Sequence, residues 1–211
     1  MSNAIPTGHH GAALEEAWAS WCGGSWGIGA VLVDPTTDEI VSRGRNRMLE
    51  QPTEPRTVAG NVMAHAEMNA FAALPRLNAA GLHLYTTLEP CLMCAATTLM
   101  MQVEHVHYAA ADEFMDWIHD FWDGHEFTAE RRAPRTGPLA GKAGEFARLL
   151  PLTFVTLYLN DTEVGDNARA TRPELMALAA ELQDDGSLTA VKQAGGDVHA
   201  AFAAVADRLP G

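Results

Sequence analysis

Two short motifs constrain the fold and the functional site of this chain most strongly: His65-Ala66-Glu67 and Pro90-Cys91-Leu92-Met93-Cys94. Two thiolates separated by two residues can hold one metal ion at a turn that enters a helix, and a histidine from another helix supplies a third ligand. A Cys-x-x-Cys pair alone is also typical of redox sites, but the two motifs together favour a metal. We therefore expect His65, Cys91 and Cys94 to bind Zn2+ and to leave the fourth position open for water, as in catalytic zinc sites.

Glu67 lies two residues after the predicted ligand His65. On a helix the two side chains are about 200° apart, yet in the first turn a glutamate can reach past the ligand toward a water on the metal. A carboxyl group there can move a proton from that water to a ring nitrogen and then to a departing amine. The paired motifs match the signature of zinc-dependent base deaminases.

The apolar pattern around the motifs predicts alternating strands and helices. Asn61 is the predicted N-cap of the helix that carries His65, and 50–60 is a predicted loop. Strands are predicted at 28–33, 39–46, 82–88, 103–109 and 152–159, and helices at 14–22, 61–77 and 91–101. This order predicts an α/β layered sandwich.

Ala-rich segments separated by glycines follow residue 160, and they predict two or three short helices. The predicted organisation is therefore a zinc-dependent domain over 1–160 and a C-terminal helical extension over 161–211 that packs on it. Cys22 lies far from both motifs and is predicted to be a buried thiol.

The composition limits the classes of partner that the chain is expected to bind. Asp and Glu number 27 against 14 Lys and Arg, so the net charge is −13, and 161–211 carries nine acidic and four basic residues. Nucleic-acid binding needs clustered basic residues, so this balance argues against a nucleic-acid partner and leaves room for one neutral base or nucleoside. No run of eighteen apolar residues and no signal-peptide pattern is present, so no membrane span is expected. Three cysteines with a Cys-x-x-Cys pair indicate the reducing cytoplasm.

The segments HAEMNAFAAL and TTLEPCLMCAATTLM resemble the cytidine deaminase-like superfamily, over about residues 25–115. They are most similar to the branch of guanine deaminases, tRNA adenosine deaminases and related nucleoside deaminases. The resemblance implies a three-layer sandwich with a central five-stranded mixed sheet flanked by helices, zinc on His65, Cys91 and Cys94, Glu67 as proton shuttle, and a homodimer. It also implies that Asn46 and the backbone around Ala66 contact the substrate.

Three features depart from that family's pattern. Leu92 stands where the family often has proline, and the loop at 50–60 is an insertion. The tRNA-acting members end in a basic helix, whereas the end of this chain is acidic. The last difference favours a small-molecule substrate over tRNA.

The densest aromatic cluster lies between residues 114 and 127. Helical spacing assigns Phe114, Ile118 and Phe121 to the core. The remaining side chains could stack on a base or read its edge, which gives the pocket candidates Asp116, Trp117, Asp120 and Trp122.

The only concentrated positive charge follows that cluster, at Arg131, Arg132, Arg135 and Lys142. These residues could bind a phosphate or pair with the acidic run before them, and pairing is favoured. Glu89 could orient a zinc ligand or serve a structural role.

These observations together predict a zinc-dependent hydrolytic deaminase that acts on a small nucleobase or nucleoside, with a purine favoured. The alternatives are a tRNA adenosine deaminase and a cytosine- or cytidine-type deaminase. A non-enzymatic alternative is a silent zinc-binding module, but such a module has no use for Glu67 beside the metal.

Overall fold

The computed structural model describes residues 4–52 and 55–210. Its centre is one mixed sheet with strands β1 Gly29–Asp34, β2 Glu39–Arg45, β3 His83–Leu88, β4 His105–Ala110 and β5 Arg135–Thr136. The strand order is β2-β1-β3-β4-β5. β1 is antiparallel to both β2 and β3, whereas β4 is parallel to β3 and to β5.

Helices surround this sheet. In the part of the chain that the structure describes, they are α1 His9–Cys22, α2 Ala66–Ala73, α3 Leu92–Met100, α4 Ile118–Asp123, α5 Glu126–Arg131, α6 Lys142–Phe154, α7 Glu163–Thr171, α8 Pro173–Asp185, α9 Ser187–Gln193 and α10 Val198–Val205. A 3₁₀ turn covers Glu113–Met115, and a π-helical segment covers Val155–Leu159.

Two glycines show that helices cover both faces of the sheet. Gly29 and Ala30 follow each other on β1 and therefore point to opposite faces, and Gly44 of β2 pairs with Ala30. A Cβ atom at Gly29 would lie 2.1 Å from the carbonyl oxygen of Ala13 in α1, and one at Gly44 would lie 2.2 Å from the amide nitrogen of Ala70 in α2. Helices α1 and α2 thus press on opposite faces, which confirms the expected three-layer sandwich.

The helix predicted from Asn61 begins later, at Ala66, with His65 as its N-cap residue. The side chain of Asn61 instead accepts a hydrogen bond from the amide of Met63 at 2.9 Å, which closes a local turn. The helix also ends earlier than predicted, because Leu74 precedes a proline and adopts an extended conformation. The prediction was wrong about both ends, and the true start places His65 at the N-terminus of the helix.

The predicted strand at 152–159 is wrong. Residues 142–154 form α6, and the π-helical segment continues to Leu159. The fifth strand is the short β5 instead. The leucines of α6 and Phe146 are buried, and an apolar run that is buried on all sides has the same pattern in a helix as in a strand.

The C-terminal helices pack against the rest of the molecule. Leu175, Leu178 and Leu182 of α8 are buried in the same apolar cluster as Leu149 and Leu152 of α6. The extension is therefore helical, as expected, and it shares a core with the sheet and its helices. The division of the chain at residue 160 stays a prediction.

Within the described residues, no helix combines the length and the apolar composition that crossing a membrane requires.

Candidate functional site

The N-termini of α2 and α3 bring the two motifs together. His65 and Cys91 are the N-cap residues of these helices, and Cys94 lies in the first turn of α3. The Nδ1 atom of His65 lies 3.6 Å from the Sγ atom of Cys91 and 3.4 Å from that of Cys94. Strand β3 leads into this turn, and its parallel neighbour β4 ends beside it, where the amide of Glu89 donates to the carbonyl of Ala110 at 2.8 Å.

These three side chains fit a zinc ion. Their ligand atoms all lie within 4.8 Å of one another. Tetrahedral zinc with ordinary bond lengths to nitrogen and sulfur separates the two ligand atoms by about 3.6 Å, which agrees with both measured distances. In the described residues the cluster has three members, so the donor set is that of a catalytic rather than a structural site. Cys22 lies at the end of α1, half-buried rather than fully buried as predicted.

The pKa values of the two thiols are shifted in opposite directions. A hydrogen bond from Cys94 and the proximity of His65 lower the pKa of Cys91 to about 4, although burial opposes this. The same hydrogen bond and burial raise the pKa of Cys94. Zinc binds thiolates, so its binding releases the remaining proton.

Glu67 lies beside this cluster and is almost completely buried, with 4% of its surface exposed. Its Oε2 atom lies 3.4 Å from the Sγ atom of Cys94. Burial, with a further contribution from Cys91, raises the pKa of its carboxyl. The side chain is thus placed next to the metal ligands and holds a proton more readily than an exposed glutamate does.

A cavity of about 170 Å³ adjoins the cluster. Its apolar walls include Ile28, Leu88 and Leu152. The other residues that line it are Trp26, Asn46, His65, Ala66, Glu67, Glu89, Cys91, Asp112, Phe114, Met115, Arg148, Val155, Val164, Asn167 and Ala168. An apolar cavity with a few converging polar groups is the usual form of a small-molecule site.

Asn46 and Ala66 are placed where the sequence predicts them, at this cavity. Asn46 is 1% exposed and is fixed by its backbone amide, which donates to Ile28 at 2.9 Å. Its Oδ1 atom accepts from the amide of Met48 at 3.1 Å. The roles of both residues in substrate binding stay predictions.

The pocket candidates Asp116, Trp117, Asp120 and Trp122 are not among the residues that line this cavity, and their role in substrate binding stays a prediction. Trp117 is 52% exposed, and Trp122 is buried in a separate small cluster with Ala95 and Ile118. Phe121, expected in the core, is 57% exposed, whereas Phe114, expected there too, lines the cavity. The prediction assumed one helix, but a 3₁₀ turn and a break at Gly124 change the helical phase.

Asp112 also lines the cavity, although the sequence did not predict it as a site residue. It lies two residues after the end of β4, and burial raises its pKa to about 6, with Arg148 acting in the opposite direction. A signal was available, because a predicted helix joins the strands at 82–88 and 103–109, such a connection is typical of parallel strands, and ligand sites lie at the carboxyl ends of parallel strands.

Arg148 is a second cavity residue that was not predicted from the sequence, and it belongs to an ion-pair network. It is 5% exposed, and its Nε and Nη2 atoms both lie 2.9 Å from Oε2 of Glu113. Glu113 also pairs with Arg172, which in turn contacts Glu145 at 3.4 Å. The network ties the 3₁₀ turn after β4 to α6 and to the junction of α7 and α8. No sequence signal indicated it, because the chain around Arg148 was predicted to be a loop.

Of the four basic residues predicted to pair with acids, Arg131, Arg132 and Arg135 contact an acidic side chain, whereas Lys142 donates to the backbone carbonyl of Ala206 at 2.6 Å. Arg132 lies 3.1 Å from Asp123, in the acidic run, and Arg135 lies 3.1 Å from Glu89. Arg131 contacts Glu130 at 3.8 Å and stacks over the ring of Phe127.

Comparison with known proteins adds to this geometry. The family described as "Cytidine and deoxycytidylate deaminase zinc-binding region" matches residues 7–110. The tRNA-specific adenosine deaminase of Aquifex aeolicus is 36% identical over 107 residues, which are 48% of this chain and 63% of that protein. The enzyme of the same name from Rickettsia felis is 30% identical over 104 residues, 47% of this chain and 67% of that protein. This chain thus spans a little less than two thirds of the Aquifex protein.

A solved structure described as guanine deaminase from Nitrosomonas europaea has the same fold. Its TM-score is 0.53 at 21% identity, and the superposition covers 70% of this chain and 85% of that one. The matched residues contain the whole His65, Cys91 and Cys94 cluster, which fits the zinc of the family description. On these findings, the chain belongs to the cytidine deaminase-like superfamily, and its metal is zinc.

Proposed function

We propose that this protein is a zinc-dependent hydrolase that deaminates a nucleobase or nucleoside, with a purine as the favoured substrate. The observation that carries the proposal is the position of Glu67, a buried acid whose Oε2 atom lies 3.4 Å from the Sγ atom of Cys94, at the wall of an apolar cavity. An acid in this place can move protons beside the metal, which is what a hydrolytic deamination requires.

The reaction replaces an exocyclic amine by a carbonyl oxygen, so water is consumed and ammonia leaves. Zinc on the three ligands supplies Lewis acidity, which lowers the pKa of a coordinated water toward about 7. Glu67 takes a proton from the attacking water and gives it to the ring nitrogen beside the reacting carbon. Glu67 then transfers the second proton of the water to the amine, which departs as ammonia. The burial that raises the pKa of Glu67 suits a group that must hold a proton between two transfers.

The size of the cavity supports a small substrate. Its volume of about 170 Å³ is more than ten times the roughly 10–15 Å³ needed to hold one water. It is smaller than the roughly 300–1,000 Å³ of pockets for drug-sized ligands. A flat heterocyclic base with one reacting amine suits such a space.

The charge of the molecule supports a small substrate over tRNA. The net charge is −13, and Arg131, Arg132 and Arg135 already contact acidic side chains. Binding to many phosphates requires basic side chains that are not already paired with acidic ones. The second candidate function is tRNA adenosine deamination, because the relatives from Aquifex aeolicus and Rickettsia felis carry that name. We also propose a cytoplasmic homodimer, on the family resemblance.

Ammonia release tests the proposal. The zinc-loaded protein is incubated with guanine, adenine, cytosine, their nucleosides, and a transcribed tRNA with adenosine in the anticodon. We expect release from a base or nucleoside that does not weaken as salt rises. Strongly salt-sensitive inosine formation in tRNA alone would favour the second candidate. Turnover of cytosine or cytidine alone would point to a pyrimidine deaminase, and full zinc without any release would point to a silent zinc-binding module.

A further inference from the structure

One wall of the cavity comes from two segments that carry neither motif. Trp26 precedes β1, and Val164, Asn167 and Ala168 belong to α7. The family match ends at residue 110, so α7 lies outside the region shared with the family. The part of the wall that α7 contributes therefore lies outside the matched zinc-binding region, whereas Trp26 lies inside it.

Two polar atoms in this wall have no hydrogen-bond partner among the described residues. They are the Nε1 donor of Trp26 and the Oδ1 acceptor of Asn167, and both are buried. Folded proteins satisfy nearly all buried polar groups, and an exception calls for an explanation such as a missing ligand. Both residues line the same cavity, so a ligand bound there lies beside both side chains.

The two residues are held in place by packing. The indole of Trp26 stacks on the ring of Phe154, with centroids 4.6 Å apart and an interplanar angle of 20°. Helix α7 lies tightly against the preceding turn, because a Cβ atom at Gly165 would lie 2.3 Å from the carbonyl oxygen of Asn160. Asn167 therefore sits on a helix with little freedom to move away from the cavity.

The charges around the cavity argue against an anionic ligand. Its arginine, Arg148, is bound to Glu113, and its remaining ionisable wall residues include the acids Glu67, Glu89 and Asp112. Neutral dipoles such as an indole N–H and an amide carbonyl match a neutral edge that offers one acceptor and one donor. The amidine or lactam edge of a heterocyclic base has this pattern, whereas a phosphate offers acceptors only.

We infer that Trp26 and Asn167 are specificity-determining residues: the indole N–H donates to an acceptor of the base, and the Asn167 carbonyl accepts from a donor of the same base. Helix α7 then selects which base the zinc site receives. The inference rests on the proposed function, since it assigns the recognition of the substrate in that same cavity.

The test measures binding with the chemistry disabled. Zinc-loaded Glu67→Gln protein is titrated calorimetrically with the base that the ammonia assay identifies, and with analogues that lack the donor or the acceptor. In this background, Trp26→Phe keeps the stacking ring and removes the N–H, and Asn167→Leu removes the acceptor. We expect each change to weaken binding of the natural base by about tenfold or more and to reduce the discrimination against the matching analogue. Zinc content should stay the same.

Glu163→Gln, on an exposed position of α7, is the matched control and should bind like the parent. Both wall variants should unfold at or above the temperature of the parent, because each removes an unsatisfied buried atom. Unchanged affinity and discrimination in both variants would overturn the inference and leave the proposed function intact. Failure of the zinc-loaded parent to bind any base would overturn both.

Discussion

The buried ion pair between Arg148 and Glu113 gives a stability prediction that the structure makes quantitative. Arg148→Met keeps the length of the side chain and removes the charge from a site that is 5% exposed. Removing one partner of a buried pair costs about 3–5 kcal/mol, because the other charge stays buried. Glu113 keeps its contact with Arg172 and its side chain is 20% exposed, so we expect the lower end, about 3 kcal/mol.

For a chain of this length, that loss lowers the melting temperature by about 6–12 °C. Thermal unfolding of zinc-loaded protein, followed by circular dichroism, measures it. The matched control is Arg169→Met, whose partner Asp166 is 76% exposed, so the loss there should be under about 1 kcal/mol. The double variant Arg148→Met with Glu113→Met should recover part of the loss, since no charge is left alone. Equal melting temperatures for Arg148→Met and the control would refute this reasoning.

Three further predictions follow from the site and the sheet. His65→Ala should lose most bound zinc by metal analysis while Cys22→Ala keeps it; full zinc in the His65 variant would remove that residue from the ligand set. The pKa of Asp112 is about 6 in the folded protein and 3.8 ordinarily, so the folded protein holds this proton more tightly than the unfolded chain does. Protonated Asp112 therefore contributes its full stabilisation below about pH 4, and this stabilisation is lost as the pH rises through 6. Asp112→Asn should therefore gain up to about 3 kcal/mol relative to the parent between pH 4 and 7, and parallel curves of unfolding free energy against pH would contradict the burial of that charge. Gly44→Ala should lower the yield of folded, zinc-loaded protein, because its Cβ atom would lie 2.2 Å from the backbone of α2, whereas a normal yield would show that α2 can move away.

The metal ligands could be predicted from the sequence because their chemistry leaves few choices. A cysteine pair at the start of one helix and a histidine at the start of another satisfy zinc only if the two helix ends meet. The four strands β1 to β4 were placed within a few residues for a similar reason, since short apolar runs between turns pack in a sheet.

The errors lie where local pattern does not determine structure. The apolar run at 152–159 is compatible with a buried strand or a buried helix, and only its packing against α8 and the sheet selects the helix. Between Phe114 and Phe127 the chain forms a 3₁₀ turn and two short helices instead of one helix, so the side chains face other directions than one continuous helix would give. The spacing of apolar residues does not indicate these interruptions. Asn167 reaches the cavity through tertiary packing of α7, which the sequence of that helix does not indicate.

The most direct test of the central claim is the ammonia released per bound zinc by the parent and by Glu67→Gln, measured on the same base. The substitution keeps the shape of the side chain and all three ligands, so zinc content should be unchanged. Loss of general acid–base catalysis should reduce the rate by about 10²–10⁴-fold. A Glu67→Gln protein with full zinc and a rate close to that of the parent would contradict the assignment of Glu67 as the group that moves the protons.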